Sequence, residues 1–298
     1  MSLKIKNLRK VYTLSFNKKI EDLKKLDLNI KDGEIYALIG QNGAGKTTAI
    51  KCILNLVKKT GGEVSYNNMS IYSLMEKRKV GYMPEILGFP DKISFKKLML
   101  EIGALRKLSD ADIIKKINIL SEMFRIHEKI DLPLSSYSKG MRKKVNFIQS
   151  IIHDPELLIL DEPTDGLDPV SRRIMLNHIK DIADKGCTIV ITSHILADLE
   201  NICNRAGIIH DGSLLNEICT QEYFKINTSY KIDIDFSGRG EINRITADNI
   251  NFNIDIRQYD SMKISGIEYK TKNLEEWYFD TLRKAGDNYV SNCKIKDN

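Results

Sequence analysis

The chain has 298 residues, a formal charge of +6, 42% hydrophobic and 29% charged residues, a balance typical of globular proteins that excludes disordered and fibrous classes. No run approaches the roughly 18–20 apolar residues of a membrane span, and MSLKIKNLRK lacks the apolar core of a secretory signal. The five cysteines share no CxxC spacing, which predicts reduced cytoplasmic thiols without disulfides or a zinc site: Cys52, Cys187, Cys203, Cys219 and Cys293.

Three short, continuous apolar runs occur within the first 200 residues. They are EIYALIG (34–40), ELLILDEP (156–163) and CTIVITSH (187–194), and each ends in a polar or glycine-rich turn. Runs of this length favour strands that are buried on both faces, as in a parallel sheet covered by helices. The three runs therefore predict the central strands of an α/β domain.

Helical patterns separate these strands and complete the alternation. The clearest of them lie at 45–58, 141–153 and 169–185, and the polar-amphipathic region 92–130 is also helical in pattern. Because 92–130 falls between the first and second strands of the core, we expect a helical subdomain, about 86–150, to be inserted there.

The texture of the sequence changes near residue 220. The segments YKIDIDFSG, NFNIDIRQYD and SMKISGIEYK are short strand candidates, and NLEEWYFDTLRKAG is an amphipathic helix candidate. The sequence therefore predicts one domain over 1–220 and a small α+β appendage over 221–298.

A glycine-rich segment follows the first predicted strand directly and precedes a predicted helix. GQNGAGKTT fits the pattern G-x-x-x-x-G-K-[ST], in which backbone N–H groups and the helix amino end cradle phosphate. Lys46 would contact the β- and γ-phosphates, and the Thr47 hydroxyl would bind Mg²⁺. The alternative is a glycine-rich turn that matches by chance. The predicted ATP-binding residues of this loop are Gly40, Gln41, Asn42, Gly43, Ala44, Gly45, Lys46, Thr47 and Thr48.

Two carboxylates end the second predicted strand, in LLILDEPTDGLDP. Asp161 would hold Mg²⁺ through water, and Glu162 would polarise the attacking water. An acidic turn that caps the next helix is the alternative, with Asp168 as the cap before Pro169. Capping does not explain two acids at the carboxyl end of a strand, where open α/β sheets bind ligands. A histidine at the exit of a strand is more often structural than catalytic. His194, at the exit of the third strand, nevertheless accompanies this site and is therefore a candidate contact for the γ-phosphate.

The order and spacing of these motifs resemble those of the ATPase subunits of ABC transporters over residues 1 to about 220. The resemblance implies a P-loop NTPase core. It also assigns YSKGM (137–141) to the position of the family's LSGGQ-like signature. Tyr137, Lys139 and Met141 depart from the common signature, and such variants are found in the exporters that resemble bacitracin- and lantibiotic-resistance ATPases. The resemblance implies that this loop faces the ATP of a second copy through Ser138, Lys139, Gly140 and Met141. We interpret the basic residues that follow, Arg142 to Lys144, as a solvated helix face.

The resemblance also implies roles for four further positions. Tyr12 would stack on adenine, with Phe16 as the rival because the following loop is slightly long. Glu85 stands where the family usually has a glutamine that senses Mg²⁺, and Asp168 would bridge two subunits.

The resemblance implies an ATP-binding and ATP-hydrolysing subunit that dimerises around two ATP molecules, with Mg²⁺, to drive movement of a substrate through a separate membrane permease. We expect a homodimer or a paralogous heterodimer, export as the direction, and a cytoplasmic location at the inner face of the membrane. The alternatives are a soluble cassette ATPase that acts on ribosomes or nucleic acid, and a binding module without turnover. No nucleic acid is expected as a partner, since the chain has neither a second cassette nor a long coiled-coil insertion.

Overall fold

The computed structural model divides into two compact units, Met1–Glu217 and Ile218–Asn298, which are taken in turn. No helix within the described part of the chain is long and apolar enough to cross a membrane. No disulfide joins the four cysteines in that part, and Cys293 lies outside it. The structure describes residues 2–13, 19–76, 79–86, 88–226, 228–235, 242–248 and 263–286.

Ten strands form one sheet, whose order is β5-β4-β1-β2-β10-β9-β3-β8-β7-β6. The strands are β1 (Ser2–Thr13), β2 (Lys19–Lys31), β3 (Ile35–Ile39), β4 (Gly61–Tyr66), β5 (Met69–Ser70), β6 (Val80–Met83), β7 (Leu157–Asp161), β8 (Thr188–Thr192), β9 (Arg205–His210) and β10 (Ser213–Cys219).

The central part of the sheet is parallel. Strand β3 lies between β8 and β9, and β7 lies between β8 and β6, all in parallel register. Every residue of β3, β7 and β8 is buried, which is why these strands are continuous apolar runs in the sequence. At the other end, β1 pairs in antiparallel fashion with β2 and β4. The predicted α/β class with a mostly parallel sheet is confirmed.

Seven helices accompany the sheet within the described part of this unit. They are α1 (Lys46–Ile53), α2 (Ile71–Glu76), α3 (Phe95–Leu105), α4 (Asp110–Met123), α5 (Lys139–Ile151), α6 (Pro169–Asp184) and α7 (Leu196–Glu200).

Side-chain caps fix where the longer helices begin. Ser94, Ser109, Ser138 and Asp168 each accept a hydrogen bond from the backbone N–H three residues later, at the starts of α3, α4, α5 and α6. The predicted helical region 92–130 is thus two helices, separated where the backbone of Lys107 turns to a φ of 61°.

The phosphate-loop helix is shorter than predicted and is anchored by its apolar face. The prediction extended this helix to residue 58, but α1 ends at Ile53, and Asn55 adopts a φ of 55°, outside helical geometry. Ala49, Ile50 and Ile53 are buried against the sheet, within the same core as Leu23 of β2. This packing sets the direction of α1 relative to the end of β3.

The second unit contains a three-stranded antiparallel sheet in the order β12-β11-β13. Trp277 of its last helix is buried and lies with its ring centroid 6.3 Å from that of Tyr223. Two predicted strands and the closing helix correspond to β11, β13 and α9; the predicted strand at 251–260 lies outside the described residues, and β12 was not predicted. The elements are α8 (Thr220–Ile226), β11 (Thr228–Asp235), β12 (Ile242–Asp248), β13 (Lys263–Thr271) and α9 (Leu274–Lys284).

Candidate active site

The glycine-rich loop spans the turn between β3 and α1 and depends on glycine at specific positions. Gly43 and Gly45 have φ angles of 82° and 107°, which other residues rarely adopt. A Cβ on Gly40 would lie 2.5 Å from the carbonyl oxygen of Ile209, so only glycine fits this approach to β9. Gln41, Asn42 and Gly43 are exposed, whereas Gly40, Ala44 and Gly45 are buried and Thr48 is half-buried.

Lys46 folds back over this loop. Its Nζ donates hydrogen bonds to the carbonyl oxygens of Gly40 at 2.6 Å and Gln41 at 3.1 Å, and the residue is only 7% exposed. Burial lowers the pKa of Lys46, and the carboxylates of Glu162, Asp161 and Glu85 act in the opposite direction. The loop therefore carries a cation whose nearest countercharges belong to other segments of the chain.

Asp161 is brought to the loop by the end of β7. Its Oδ2 accepts a hydrogen bond from Thr47 Oγ1 at 3.2 Å, and its Oδ1 accepts one from Thr192 Oγ1 at 2.6 Å. The residue is 1% exposed. A hydroxyl and a carboxylate side by side are the oxygen donors that Mg²⁺ prefers, so these residues fit a magnesium site.

Glu162 lies just beyond the strand end in an unusual backbone conformation. Its φ is 49°, in the left-handed region, and its N–H donates to the carbonyl oxygen of Thr192 at 3.2 Å and to Thr192 Oγ1 at 3.1 Å. Its Oε2 accepts from the N–H of His194 at 3.1 Å and lies 2.7 Å from His194 Nδ1. The carboxylate is nearly buried, whereas the imidazole is 56% exposed. This pair can accept a proton beside the phosphate loop.

Thr192 was missed by the sequence analysis, although it contacts both acids. It is the last residue of β8, fully buried, and pairs in register with Asp161. One hydroxyl donates to Asp161 and accepts from the N–H of Glu162. A threonine at the carboxyl end of a neighbouring predicted strand was the available indication.

Glu85 follows β6 and has an exposed side chain. Within the described residues, no hydrogen bond joins its carboxylate to Thr47 or Asp161. The carboxylate nevertheless acts on the charge of Lys46, as noted above, and the Glu85 carbonyl oxygen accepts a hydrogen bond from Lys143 Nζ at 3.2 Å. Its predicted role as a Mg²⁺ ligand stays a prediction.

The loop before α5 is exposed at its last residue, Ser138, and Lys139, the first residue of the helix, is also exposed. Ser138 Oγ caps α5 by accepting from the N–H of Met141 at 3.3 Å. Lys139 Nζ lies 3.5 Å from Asp165 Oδ2, and an added Cβ on Gly140 would lie 3.6 Å from the carbonyl oxygen of Gly166. These contacts join the loop to the segment after β7.

The basic residues after this loop are not a solvated helix face, and that interpretation was wrong. Lys143 is 7% exposed, because its side chain turns inward to Glu85. Arg142 pairs with Asp91 at 2.9 Å, and Lys144 Nζ donates to the carbonyl oxygen of Phe124 at 3.0 Å. Each cation therefore has a specific partner.

Two further predicted site residues have local partners. Asp168 caps α6, as one interpretation predicted, and accepts from the N–H and the hydroxyl of Ser171, which lowers its pKa. Lys10 Nζ lies 4.5 Å from the ring centroid of Tyr12, and Phe16 lies outside the described residues. A subunit bridge at Asp168 and adenine stacking at Tyr12 remain predictions.

Comparison with known proteins identifies the family. The ABC transporter family model matches residues 23–165. A putative ABC transporter ATP-binding protein of Mycoplasma pneumoniae is 30% identical over 301 aligned positions, which cover 97% of this chain and 91% of the relative. Across curated relatives, the matched part spans from 59% to 91% of the relative's own length.

Some of the relatives are named for antibiotic transport. The bacitracin transport ATP-binding protein BcrA of Bacillus licheniformis is 34% identical over 69% of this chain and 67% of its own length. The lantibiotic transport ATP-binding protein SrtF of Streptococcus pyogenes is 34% identical over 72% of this chain and 90% of its own length.

A solved ATP-binding subunit of an ABC transporter is similar in structure, with a TM-score of 0.69 and 28% identity over 75% of this chain and 92% of that one. The resemblance stated from the sequence is confirmed. The chain belongs to the ABC transporter family, as one of its ATP-binding proteins.

Proposed function

We propose that this protein is the ATP-hydrolysing subunit of an ABC exporter. Residues 1–220 form its nucleotide-binding domain, with a helical subdomain at about 86–150, and 221–298 form an accessory domain. The proposal is supported above all by the contact between Thr47 of the phosphate loop and Asp161 at the end of β7, beside Glu162.

The phosphate loop binds the triphosphate of ATP. Backbone N–H groups of the loop and the amino end of α1 face the phosphates, and Lys46 exchanges its two carbonyl partners for phosphate oxygens. Thr47, Asp161 and Glu85 hold Mg²⁺, which neutralises phosphate charge when bound. Tyr12 stacks on adenine.

Glu162 orients the attacking water and accepts its proton. His194 fixes the Glu162 carboxylate through two contacts, and its exposed ring extends toward the γ-phosphate. Because Glu162 is nearly buried, few bulk water molecules reach its carboxylate. Its remaining hydrogen-bonding capacity is therefore kept for the attacking water molecule.

A second copy, or a paralogue, completes each site. The start of α5 faces the γ-phosphate bound by the partner, where the amino end of the helix suits an anion; the residues concerned are the cap, Ser138, and the first-turn residues Lys139, Gly140 and Met141. Asp168, at the start of α6, bridges the two subunits. ATP binds the closed dimer more tightly than the open one, and this difference shifts the population toward closure.

A separate permease carries the substrate, and this chain acts from its cytoplasmic side. The names of BcrA and SrtF make a peptide antibiotic the first cargo to test. The alternative of a ribosome- or nucleic-acid-directed ATPase is not favoured, because these relatives are named for transport.

Replacing Glu162 with glutamine tests the proposal. We expect ATP binding to persist while steady-state hydrolysis falls about 10²–10⁴-fold, since the loop remains and the general base does not. Glu156→Gln is the matched control, because Glu156 precedes the opposite end of β7 and pairs with Lys79 at the surface. Hydrolysis that is equal in Glu162→Gln and wild type would refute the assignment.

A further inference from the structure

One face of α5 is hydrogen-bonded to the backbone of β6 and of the residues that follow it. His153, two residues past the end of α5, extends this set of contacts. Four side-chain nitrogens contact four carbonyl oxygens in succession, and we call these four residues the α5 row. The contacts are Lys143 to Glu85 at 3.2 Å, Asn146 to Pro84 at 2.7 Å, Gln149 to Tyr82 at 2.8 Å and His153 to Val80 at 3.0 Å.

The α5 row covers the edge of the parallel sheet. Strand β6 ends the strand order of the described sheet, with β7 on its other side. Because successive carbonyl groups of a strand point to opposite edges, those of Val80 and Tyr82 share the edge that β7 does not use. The helix also approaches closely, since a Cβ on Gly81 would overlap the carbonyl oxygen of Ser150. Unpaired edge carbonyls thus find donors on α5.

Lys143 differs from the rest of the row in charge. Strand β6 ends at Met83, so Lys143, like Asn146, contacts a residue beyond the strand. It is a buried ammonium, and burial lowers its pKa, whereas the carboxylates of Asp165, Glu85 and Glu162 act in the opposite direction. A buried cation is retained only where partners offset its desolvation, and here those partners belong to the candidate active site.

We propose that Lys143 is a positioning residue that fixes Glu85 relative to α5, the helix that Ser138 caps. The inference rests on the proposed function, because it gives the placement of Glu85 a role in Mg²⁺-dependent turnover. Two physical effects contribute. The hydrogen bond fixes the Glu85 backbone at the first position past Pro84, and the positive charge reduces repulsion among the carboxylates of Glu85, Asp165 and Glu162.

Lys143→Met removes both effects while keeping an unbranched apolar side chain. We expect the Mg²⁺ concentration for half-maximal ATP hydrolysis to rise about two- to tenfold, since the net contribution of a typical hydrogen bond is at this level. Lys143→Arg keeps charge and donors and should restore most of the affinity. Lys144→Met is the matched control, because Lys144 also donates to a carbonyl oxygen from α5, but at Phe124.

A double-mutant cycle tests whether Lys143 acts through Glu85. The effect of Lys143→Met on the Mg²⁺ requirement should shrink by at least about half in a Glu85→Ala background, because the side chain that Lys143 would position is then absent. Equal effects in both backgrounds, or equal shifts in Lys143→Met and Lys144→Met, would overturn the proposal.

A second measurement does not require turnover. A spin label on Ile86→Cys reports the motion of the segment beside Glu85, since Ile86 is 84% exposed; Cys219 and Cys293 are replaced by serine. In nucleotide-free protein, Lys143→Met should narrow the electron paramagnetic resonance lines of the label, because the label becomes more mobile. Lys143→Arg and Lys144→Met should leave the lines unchanged. An unchanged spectrum in Lys143→Met refutes the positioning role even if ATP is hydrolysed. A narrowed spectrum in a protein without ATPase activity supports the positioning role and refutes the proposed function instead.

Discussion

Thr192→Val removes one hydroxyl from the centre of the candidate active site and leaves a side chain of the same shape. In the wild type that hydroxyl donates to Asp161 Oδ1 at 2.6 Å and accepts from the N–H of Glu162 at 3.1 Å. The two losses are unequal. The Glu162 N–H retains the carbonyl oxygen of Thr192 at 3.2 Å, whereas Asp161 Oδ1 loses a charge-assisted bond in a residue that is 1% exposed.

The magnitude follows from the second loss. A hydrogen bond to a buried charged group contributes about 1.5–3 kcal/mol, and each 1.4 kcal/mol corresponds to a factor of about ten. Only the part of this contribution that is realised in the transition state and not already in the free enzyme lowers kcat/KM, so kcat/KM for ATP should fall by up to about 150-fold. The free energy of unfolding should fall by about 1–3 kcal/mol, because the carboxylate stays buried with one partner fewer.

Thr188→Val is the matched control for Thr192→Val. Thr188 is the first residue of the same strand, at the opposite end from Thr192, and is also fully buried. Its hydroxyl accepts a hydrogen bond from the N–H of Gly33 and donates one to Asp32. Both variants should lower the urea midpoint, but only Thr192→Val should lower steady-state ATP hydrolysis. Full activity in Thr192→Val, or equal losses of activity in the two variants, would refute the reasoning.

Two further predictions concern the partner subunit and acid stability. Ser138→Arg and Lys46→Ala should each abolish hydrolysis, whereas their mixture should recover activity, because one intact composite site forms in the heterodimer; no recovery in a mixture shown to dimerise would exclude action across subunits. Burial lowers the pKa of His153 to about 4 from the ordinary 6.5. The contribution of His153 to the free energy of unfolding is therefore fully present above about pH 6.5, and about 3 kcal/mol of it is lost as the pH drops to 4. His153→Gln should lose this slope in urea unfolding at pH 7 and 4.5, and an unchanged slope would assign it to other groups.

The sequence predicts most of the candidate site wherever its chemistry depends on consecutive residues. The loop that contains Gly43 and Gly45 can be predicted from the sequence, because its local backbone angles require glycine. Asp161 and Glu162 can be predicted as site residues because they follow a continuous apolar run, which indicates a buried parallel strand. Ligands bind at the carboxyl ends of such strands. The start of α6 is predicted correctly because Asp168, directly before Pro169, caps it by accepting from the N–H of Ser171.

What the sequence does not predict depends on the register between distant segments. Thr192 acquires its role because β8 pairs with β7 so that it lies opposite Asp161, and no local pattern encodes that pairing. Lys143 lies in a basic stretch whose composition favours solvent exposure. Its burial follows from packing α5 against β6, which is a tertiary effect that overrides the average behaviour of lysine.

The two adjacent acids differ in the chemistry of their partners, and this difference supports the separate roles proposed for them. Asp161 accepts hydrogen bonds from two hydroxyl groups, those of Thr47 and Thr192, and both of its oxygens act as acceptors, as in a metal ligand. Glu162 instead contacts His194, whose ring has two nitrogens that can donate or accept hydrogen bonds. The φ of 49° at Glu162 turns the chain between these partners, so two neighbouring carboxylates reach unlike surroundings. We infer that this single backbone rotation separates metal binding from proton transfer.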